Sequence, residues 1–356
     1  MNYDTTVKGK TMRNLRELGS TTMYGRDMEG SPDQEPKYPS ALLATAGLDD
    51  KIYIWHPETG DIYKEYDLDP QIDSQVNCLK FSGDGRLLAV TGYEVIKVYD
   101  VHSNRPLTNM SNNSDSNSKN ITCVNFATTD NTSLITGGED GYCRLWQFPR
   151  RNLKQTREVN CSLYGVINCL TTKHPDFNAV VGTQSGYILG LNVSDDRVTK
   201  LLHKKALGIQ SIDCYVDKHT LRVVAMTNTG HLLSHYNGEW TDRKVHEKFG
   251  LCCVLSPDGQ FLATGGSDAK IRLFRLEENN IFELNTLCDS KLKWIWCLQF
   301  SFDSQFLFVS SSDGVVQMWS LRDWTIKRNY RGHKKSVVSL SLFEYRQKHT
   351  RDHQGL

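Results

Sequence analysis

The sequence predicts an all-β fold, a seven-bladed β-propeller, and two repeating phrases of the chain carry this prediction. The first phrase is a small-polar segment, an acidic turn and an alternating strand. The seven copies of this phrase end at Trp55, Tyr99, Trp146, Leu191, His235, Phe274 and Trp319. Successive ends lie 44, 47, 45, 44, 39 and 45 residues apart. A period of 40–45 residues with four short strands per repeat is typical of a propeller.

The second phrase is a short apolar run that carries a small residue at a fixed place, as in VNCLKF and ITCVNF. These small residues recur every 42 to 46 positions, at Cys78, Cys123, Cys169, Ser211, Cys253, Cys297 and Ser339. The runs are rich in Val, Ile, Leu and Phe and are bounded by Gly, Asp, Asn or Ser, which are strand and turn signals. Two periods in register predict seven blades over 41–343.

An Asp precedes the terminal aromatic residue by six positions in four of the repeats. These residues are Asp49, Asp140, Asp268 and Asp313. Because Asp hydrogen-bonds its own backbone and Gly accepts positive φ, we expect them to form tight turns between strands. The strand-ending residues Trp55, Trp146 and Trp319 are expected to be core residues, since they end interior strands.

The two ends of the chain are expected to share one blade. The first repeat begins at Ala41 with strands that would be second to fourth in a blade, and 336–342 is an innermost strand with no later partner. Pairing the C-terminal strand with the N-terminal blade closes the ring and removes an exposed edge. His333, Thr45, Asp49 and Trp55 could then form a buried hydrogen-bonded chain. Deletion of 331–356 should therefore prevent folding.

Composition excludes several classes of function. The 42 Lys and Arg nearly balance the 41 Asp and Glu, which disfavours general nucleic-acid binding. No apolar stretch approaches 18 residues, and the first 20 residues do not form a secretory signal, so we expect no membrane insertion. The ten cysteines then indicate reduced thiols in the cytosol or nucleus, and the predicted location is cytoplasmic. The sequence has none of the common nucleotide, metal or hydrolase motifs, so we expect no cofactor and no enzymatic activity.

The residues around the start of each innermost strand should rim the central channel. The residues predicted to precede the seven strands are, in order, Gln75, Asn120, Val166, Gly208, Gly250, Trp294 and Ser336. Two positions later come Asn77, Thr122, Asn168, Gln210, Cys252, Trp296 and Val338. Two tryptophans at positions where other repeats have small or polar residues are typical of a binding hot spot, although they could instead fill a packing gap.

The predicted domain organisation is a disordered N-terminal extension over 1–40, the propeller over 41–343, and a C-terminal tail over 344–356. The extension contains six acidic and six basic residues with few aromatics. An inert extension and a docking or phosphorylation segment are both open interpretations. The propeller itself is expected to be a monomer within a larger complex.

The repeats resemble the WD-repeat family and, more narrowly, the propeller subunits of target-of-rapamycin (TOR) kinase complexes, the G protein β-subunit-like family. The phrases that carry this resemblance are LLATAGLDDKIYIW, TGYEVIKVYD without the turn Asp, TGGEDGYCRLW, KWIWCLQF and IKRNYRGHKKSVVSLSLF. It spans 41–343. Leu191 and His235 depart from it, because they replace the strand-ending Trp of the fourth and fifth repeats, and 194–250 matches poorly.

This resemblance implies a function, partners and site residues. It implies a non-catalytic scaffold that binds the kinase catalytic domain and other TOR complex subunits, in complexes 1 and 2, with effects on cell growth and the actin cytoskeleton. Carried over, it nominates Gln75, Trp294 and Trp296 as partner-binding residues, with Asn77 and Asn120 as lesser candidates. Two alternatives are a WD-repeat adaptor of another assembly, such as a ubiquitin ligase, and a propeller hydrolase.

Overall fold

The computed structural model describes residues 39–345, with gaps at 69–74, 94, 104–105, 112–119, 128–130, 149–152, 218–220 and 279. The described part contains 28 strands in seven antiparallel four-stranded sheets. The innermost strands of neighbouring sheets contact one another in a closed cycle, so the sheets form a ring of blades. The predicted seven-bladed propeller is therefore confirmed.

Each blade consists of four strands that follow one another from the centre outwards. Blade 1 contains β28 (Val337–Glu344), β1 (Ala41–Gly47), β2 (Lys51–Trp55) and β3 (Ile62–Asp67). Blade 2 contains β4 (Val76–Phe81), β5 (Leu87–Gly92), β6 (Val95–Asp100) and β7 (Pro106–Ser111). Blade 3 contains β8 (Ile121–Phe126), β9 (Ser133–Gly138), β10 (Tyr142–Gln147) and β11 (Lys154–Asn160).

The remaining four blades repeat this order. Blade 4 contains β12 (Ile167–Thr171), β13 (Ala179–Thr183), β14 (Tyr187–Asn192) and β15 (Arg197–His203). Blade 5 contains β16 (Ile209–Val216), β17 (Leu221–Thr227), β18 (His231–Tyr236) and β19 (Glu239–Lys244). Blade 6 contains β20 (Gly250–Leu255), β21 (Phe261–Gly266), β22 (Ile271–Leu276) and β23 (Ile281–Leu287). Blade 7 contains β24 (Ile295–Phe300), β25 (Phe306–Ser311), β26 (Val315–Ser320) and β27 (Ile326–Arg331).

Strand β28 closes the ring, as the sequence predicts. It pairs antiparallel with β1 from Ala41 opposite Glu344 to Gly47 opposite Val337. Ser339 and Ser341 accept hydrogen bonds from two backbone N–H groups of β4, each at 3.1 Å. Blade 1 is thus built from both ends of the propeller and is linked to its neighbour. The strand ends at Glu344, one residue beyond the predicted boundary, and most of 1–40 and 344–356 lies outside the described residues.

A buried hydrogen-bonded chain connects the two halves of blade 1. The Trp55 indole N–H donates to Thr45 Oγ1 at 2.9 Å, and Thr45 Oγ1 lies 2.9 Å from His333 Nε2. His333 Nδ1 lies 2.8 Å from an oxygen of Asp49, whose other oxygen accepts the Lys334 N–H. Burial lowers the pKa of His333, and the Asp49 carboxylate only partly offsets this effect. The ring is therefore neutral at pH 7, with its proton on the nitrogen that faces Asp49.

The other strand-ending tryptophans are also buried and hydrogen-bonded. The Trp146 indole N–H donates to Thr136 Oγ1 at 2.9 Å, which repeats the arrangement of blade 1. In blade 7 the Trp319 N–H donates instead to Gln317 at 3.0 Å. Asp140 and Asp313 each accept the N–H two residues further on, in the tight turns that the sequence predicts.

Blade 6 contains a second histidine chain, which the sequence did not predict. His246 is fully buried; its Nε2 lies 3.0 Å from Thr264 Oγ1 and its Nδ1 lies 2.9 Å from an Asp268 oxygen. Arg272 donates to the other Asp268 oxygen at 3.0 Å. Burial alone raises the pKa of Asp268, but His246 and Arg272 outweigh it and hold that pKa well below its ordinary value.

Replacement of Asp268 by Asn is expected to lower the free energy of unfolding by about 3 kcal/mol near pH 7, because the largely buried Arg272 charge then keeps only the more distant carboxylate of Glu283, at 4.0 Å. The carboxylate has a lowered pKa in the folded state, so its contribution is complete above the unfolded pKa of about 4 and is lost as the pH falls below it. Denaturant unfolding of wild type, Asp268→Asn and the exposed control Asp195→Asn at several pH values measures this. A difference of the same size at pH 7 and pH 3 would contradict the assignment.

Candidate partner-binding rim

The strand order determines which loops share one end of the propeller. Within each antiparallel blade, the start of the first strand lies at the same end as the turn between the second and third strands. The first strands of neighbouring blades run side by side in one direction, because Asn77 donates to the Ile121 carbonyl at 2.9 Å and Asn168 to the Ile209 carbonyl at 2.9 Å. All seven strand starts therefore lie at one end, here named the rim end.

In blade 1 and in blades 3 to 7, the residue before the innermost strand is held by the same backbone contact. Its carbonyl accepts the N–H of the first residue of the nearby turn, as in Ser312 N to Trp294 O at 3.0 Å and Ser267 N to Phe249 O at 2.8 Å. In both cases the turn serine also accepts the N–H of the aromatic residue. Phe249 is thus the structural equivalent of Trp294 in the neighbouring blade.

This equivalence corrects the predicted register of blade 6 by one residue. Gly250 is the first residue inside strand β20, so the residue that precedes the strand is Phe249. Each innermost strand of blades 2 to 7 has a register shift between its first and third residues, and in blade 6 the shift lies between Gly250 and Cys252. Cys252, and not Cys253, therefore occupies the repeated small position, and Leu251, and not Cys252, occupies the channel-lining position.

The channel-lining positions are half-buried in all seven blades. They are Asn77, Thr122, Asn168, Gln210, Leu251, Trp296 and Val338. On one side of the channel mouth the side chains are polar. Asn77 donates to the Asn120 side chain, Asn120 donates to Glu139 at 2.8 Å, and Gln75 is exposed beside them. The structure thus brings the predicted residues of blades 2 and 3 together.

The aromatic side of the mouth lies on blades 6 and 7. Trp294 is 45% exposed and Phe249 is 58% exposed, whereas Trp296 is half-buried. The rings of Trp294 and Trp296 lie 5.6 Å apart, and the buried Trp296 indole N–H has no hydrogen-bond partner within the described part of the chain. We name Phe249, Trp294 and Trp296 the rim cluster. Only blade 1, through Ser336 and Val338, separates it from the polar side.

Lysines surround the rim cluster in the three loops that precede β20, β24 and β28. All five are exposed, and none forms an ion pair with a described residue; they are Lys248, Lys291, Lys293, Lys334 and Lys335. The same three loops contain two carboxylates, Glu247 and Asp289, so the large apolar rings are combined with an excess of positive charge. Exposed aromatic groups within a polar border are typical of protein-binding surfaces.

The cysteines of the inner strands are packing residues. Cys123, Cys169 and Cys252 each face a Gly of the next strand, where an added Cβ would lie within 2.9 Å of the sulfur. Burial raises the pKa of the Cys123 thiol to about 12, so it is not reactive at neutral pH.

Among the described residues, no three His, Cys, Asp or Glu side chains are grouped to hold a metal ion. Within the same residues, no helix has the length and hydropathy of a membrane span.

The closed ring, the buried Thr–Trp pairs and the His–Asp chains define a WD-repeat β-propeller. A family model for the WD40 domain of anaphase-promoting complex subunit 4 matches residues 39–129 and 253–344. A bovine protein, "Target of rapamycin complex subunit LST8", is 31% identical over 85% of this chain and 94% of its own length. The budding yeast protein of that name is 27% identical over 85% and 99%, and the fission yeast TOR complex subunit wat1 is 28% identical over 88% and 98%. The chain belongs to the LST8 family of WD-repeat propellers.

Proposed function

We propose that this protein is a non-catalytic scaffold subunit of TOR kinase complexes and that its rim end binds and stabilises the kinase catalytic domain. The observation that carries the proposal is the rim cluster in a chain of the LST8 family. Its two exposed rings occupy equivalent positions on neighbouring blades. The family relatives named above are TOR complex subunits by name.

Such a subunit contributes binding energy to the complex and holds its partner in a fixed geometry. The backbone N–H groups of Trp294 and Phe249 are hydrogen-bonded to serines of adjacent turns, so little ordering of the loop backbone opposes association. Gln75, Asn77 and Asn120 would form the polar side of the same interface.

Purification of the tagged full-length protein from its native cells tests the proposal. The TOR kinase is expected to co-purify in near-stoichiometric amount and to lose thermal stability when the propeller is depleted. An unrelated tagged propeller serves as the control. Absence of the kinase from the purified material would refute the proposal.

The alternative is a WD-repeat adaptor of another assembly that lacks the kinase contact. Blades 4 and 5 favour it to a degree, since Leu191 and His235 replace the strand-ending Trp and the family model leaves 130–252 unmatched. The same purification separates the two functions, because the adaptor would retain other subunits in a rim-dependent manner and no kinase. We propose a cytoplasmic location for either function.

A further inference from the structure

The charge at the rim end differs between the two sides of the channel mouth. Beside the rim cluster, the loops before β20, β24 and β28 and the turns 267–270 and 312–314 carry six exposed lysines. They are Lys248, Lys270, Lys291, Lys293, Lys334 and Lys335. Glu247 is the only exposed carboxylate among the described residues of these segments. The corresponding turns of blades 1 to 3 contain, in their described residues, no Lys or Arg, and Glu139 is exposed there.

The other acidic residues of these segments hold the propeller together instead of facing a partner. Asp289 accepts a hydrogen bond from the Gln317 amide at 2.9 Å, and Gln317 in turn accepts the Trp319 indole N–H in blade 7. Asp268 belongs to the buried histidine chain of blade 6, and Asp313 accepts a backbone N–H of its own turn. All of these carboxylates are partly buried. The charge that faces solvent beside the rim cluster is therefore mainly positive.

Each exposed ring of the rim cluster has a lysine directly before it in the chain. Lys248 precedes Phe249 and Lys293 precedes Trp294, and the turn serines hold the backbone of both aromatic residues. A partner that covers the two rings therefore comes within reach of the flexible ammonium groups around them. The lysines also repel one another, and carboxylates of a partner would remove this repulsion. The charge of the partner thus decides whether it is attracted or repelled.

We propose that the rim cluster and its lysines bind an acidic segment of the partner, in which large apolar side chains stand next to Asp or Glu. This inference rests on the proposed function, since the partner is taken to be the TOR kinase. The apolar side chains pack on Phe249 and Trp294, and the carboxylates pair with lysines of the three loops. Because Glu139 and its neighbours repel the same segment, the charge also determines the side of the channel mouth on which the segment lies.

The association and dissociation rates of the full-length protein on immobilised TOR kinase test the proposal, at about 50 mM and about 300 mM salt. Wild type is expected to associate about tenfold faster at the lower salt concentration, because opposite surface charges attract the two proteins before contact. A triple variant, Lys248→Gln with Lys293→Gln and Lys335→Gln, removes one lysine from each loop. It should lose most of this advantage, with a smaller change in the dissociation rate.

Two matched variants separate the effect of charge from that of position. Arginine at the same three positions keeps the charge and should keep the fast association. A second glutamine variant, Lys154→Gln with Arg197→Gln and Arg275→Gln, removes the same charge from exposed residues at the opposite end of the propeller. Its association rate should stay close to that of wild type at both salt concentrations.

Carbodiimide treatment of the complex, which joins a lysine amine to an adjacent carboxylate, locates the acidic segment by mass spectrometry. Cross-links from the rim lysines to Asp or Glu of the kinase are expected, and their absence contradicts the proposal. Equal association rates for the two glutamine variants would overturn it while the kinase contact stands, whereas no kinase binding by wild type would refute both. Lysine-dependent binding to phosphatidylserine vesicles, with unchanged kinase binding, would assign the lysines to a membrane instead.

Discussion

Removal of residues 331–356 is expected to leave a chain that does not unfold cooperatively. The deletion removes β28, the innermost strand of blade 1, which pairs with β1 along its whole length. It also removes two serine side chains that bond the backbone of β4. In the truncated ring, β1 has an unpaired edge, and blade 2 has no neighbouring strand against its β4.

The energies of the lost contacts support a complete loss of the native state. Burial of Val337 and Leu340 contributes about 1.5–3 kcal/mol each. Loss of His333 removes the acceptor of the Thr45 hydroxyl, which keeps only the Trp55 N–H, and the ring that faces Asp49, at a cost of about 1–3 kcal/mol each. Together with the strand hydrogen bonds, these terms approach the whole stability of a typical domain, about 5–15 kcal/mol.

Circular dichroism and calorimetry of the purified truncation measure this result. Truncation of 346–356 alone is the matched control, since it leaves β28 intact, and it should melt like the full chain. A single cooperative transition in the longer truncation, at a temperature near that of the control, would show that the seam does not hold the ring together.

The repeat period predicted the fold because every blade must place its hydrophobic strands at the same distance from the channel. The closure followed from the same period, since β1 and β28 are the two unpaired parts of one repeat. Period alone did not determine the register of blade 6. Cys252 and Cys253 are both small and fit the repeated position equally well, and the shift in pairing at Gly250 distinguishes them in the structure.

That ambiguity concealed Phe249, the second exposed ring of the rim cluster. The reason for a glycine at this place is visible only in the structure, because an added Cβ at Gly250 would lie 2.3 Å from the Met226 sulfur and 2.6 Å from the Thr227 carbonyl. This close packing leaves no room for a side chain at Gly250, although the residue lies inside a strand. In the sequence, a glycine next to a strand indicates a turn, so Gly250 was predicted to precede the strand. His246 was missed for a related reason, since no Gly precedes it as Gly332 precedes His333.

Replacement of Trp294 by Ala is expected to weaken kinase-domain binding roughly 30-fold or more, about 2 kcal/mol, with little change in melting temperature. Trp294 is nearly half exposed, so its removal leaves only a small void in the propeller. Trp296→Ala should weaken binding by at least as much, but it should also lower stability, because Trp296 is half-buried beneath Trp294.

Phe302→Ala is the matched control for these variants. Phe302 is 49% exposed, close to the exposure of Trp294, but it lies in the turn between β24 and β25 at the opposite end of the propeller. Titration of the purified kinase domain with wild type, Trp294→Ala, Phe249→Ala and Phe302→Ala, together with their melting temperatures, separates binding from folding. Since Phe249 and Trp294 are held by the same serine contacts, a rim interface requires both variants to lose affinity while Phe302→Ala does not. A large drop in the melting temperature of Trp294→Ala, with unchanged affinity, would assign the rim cluster to packing.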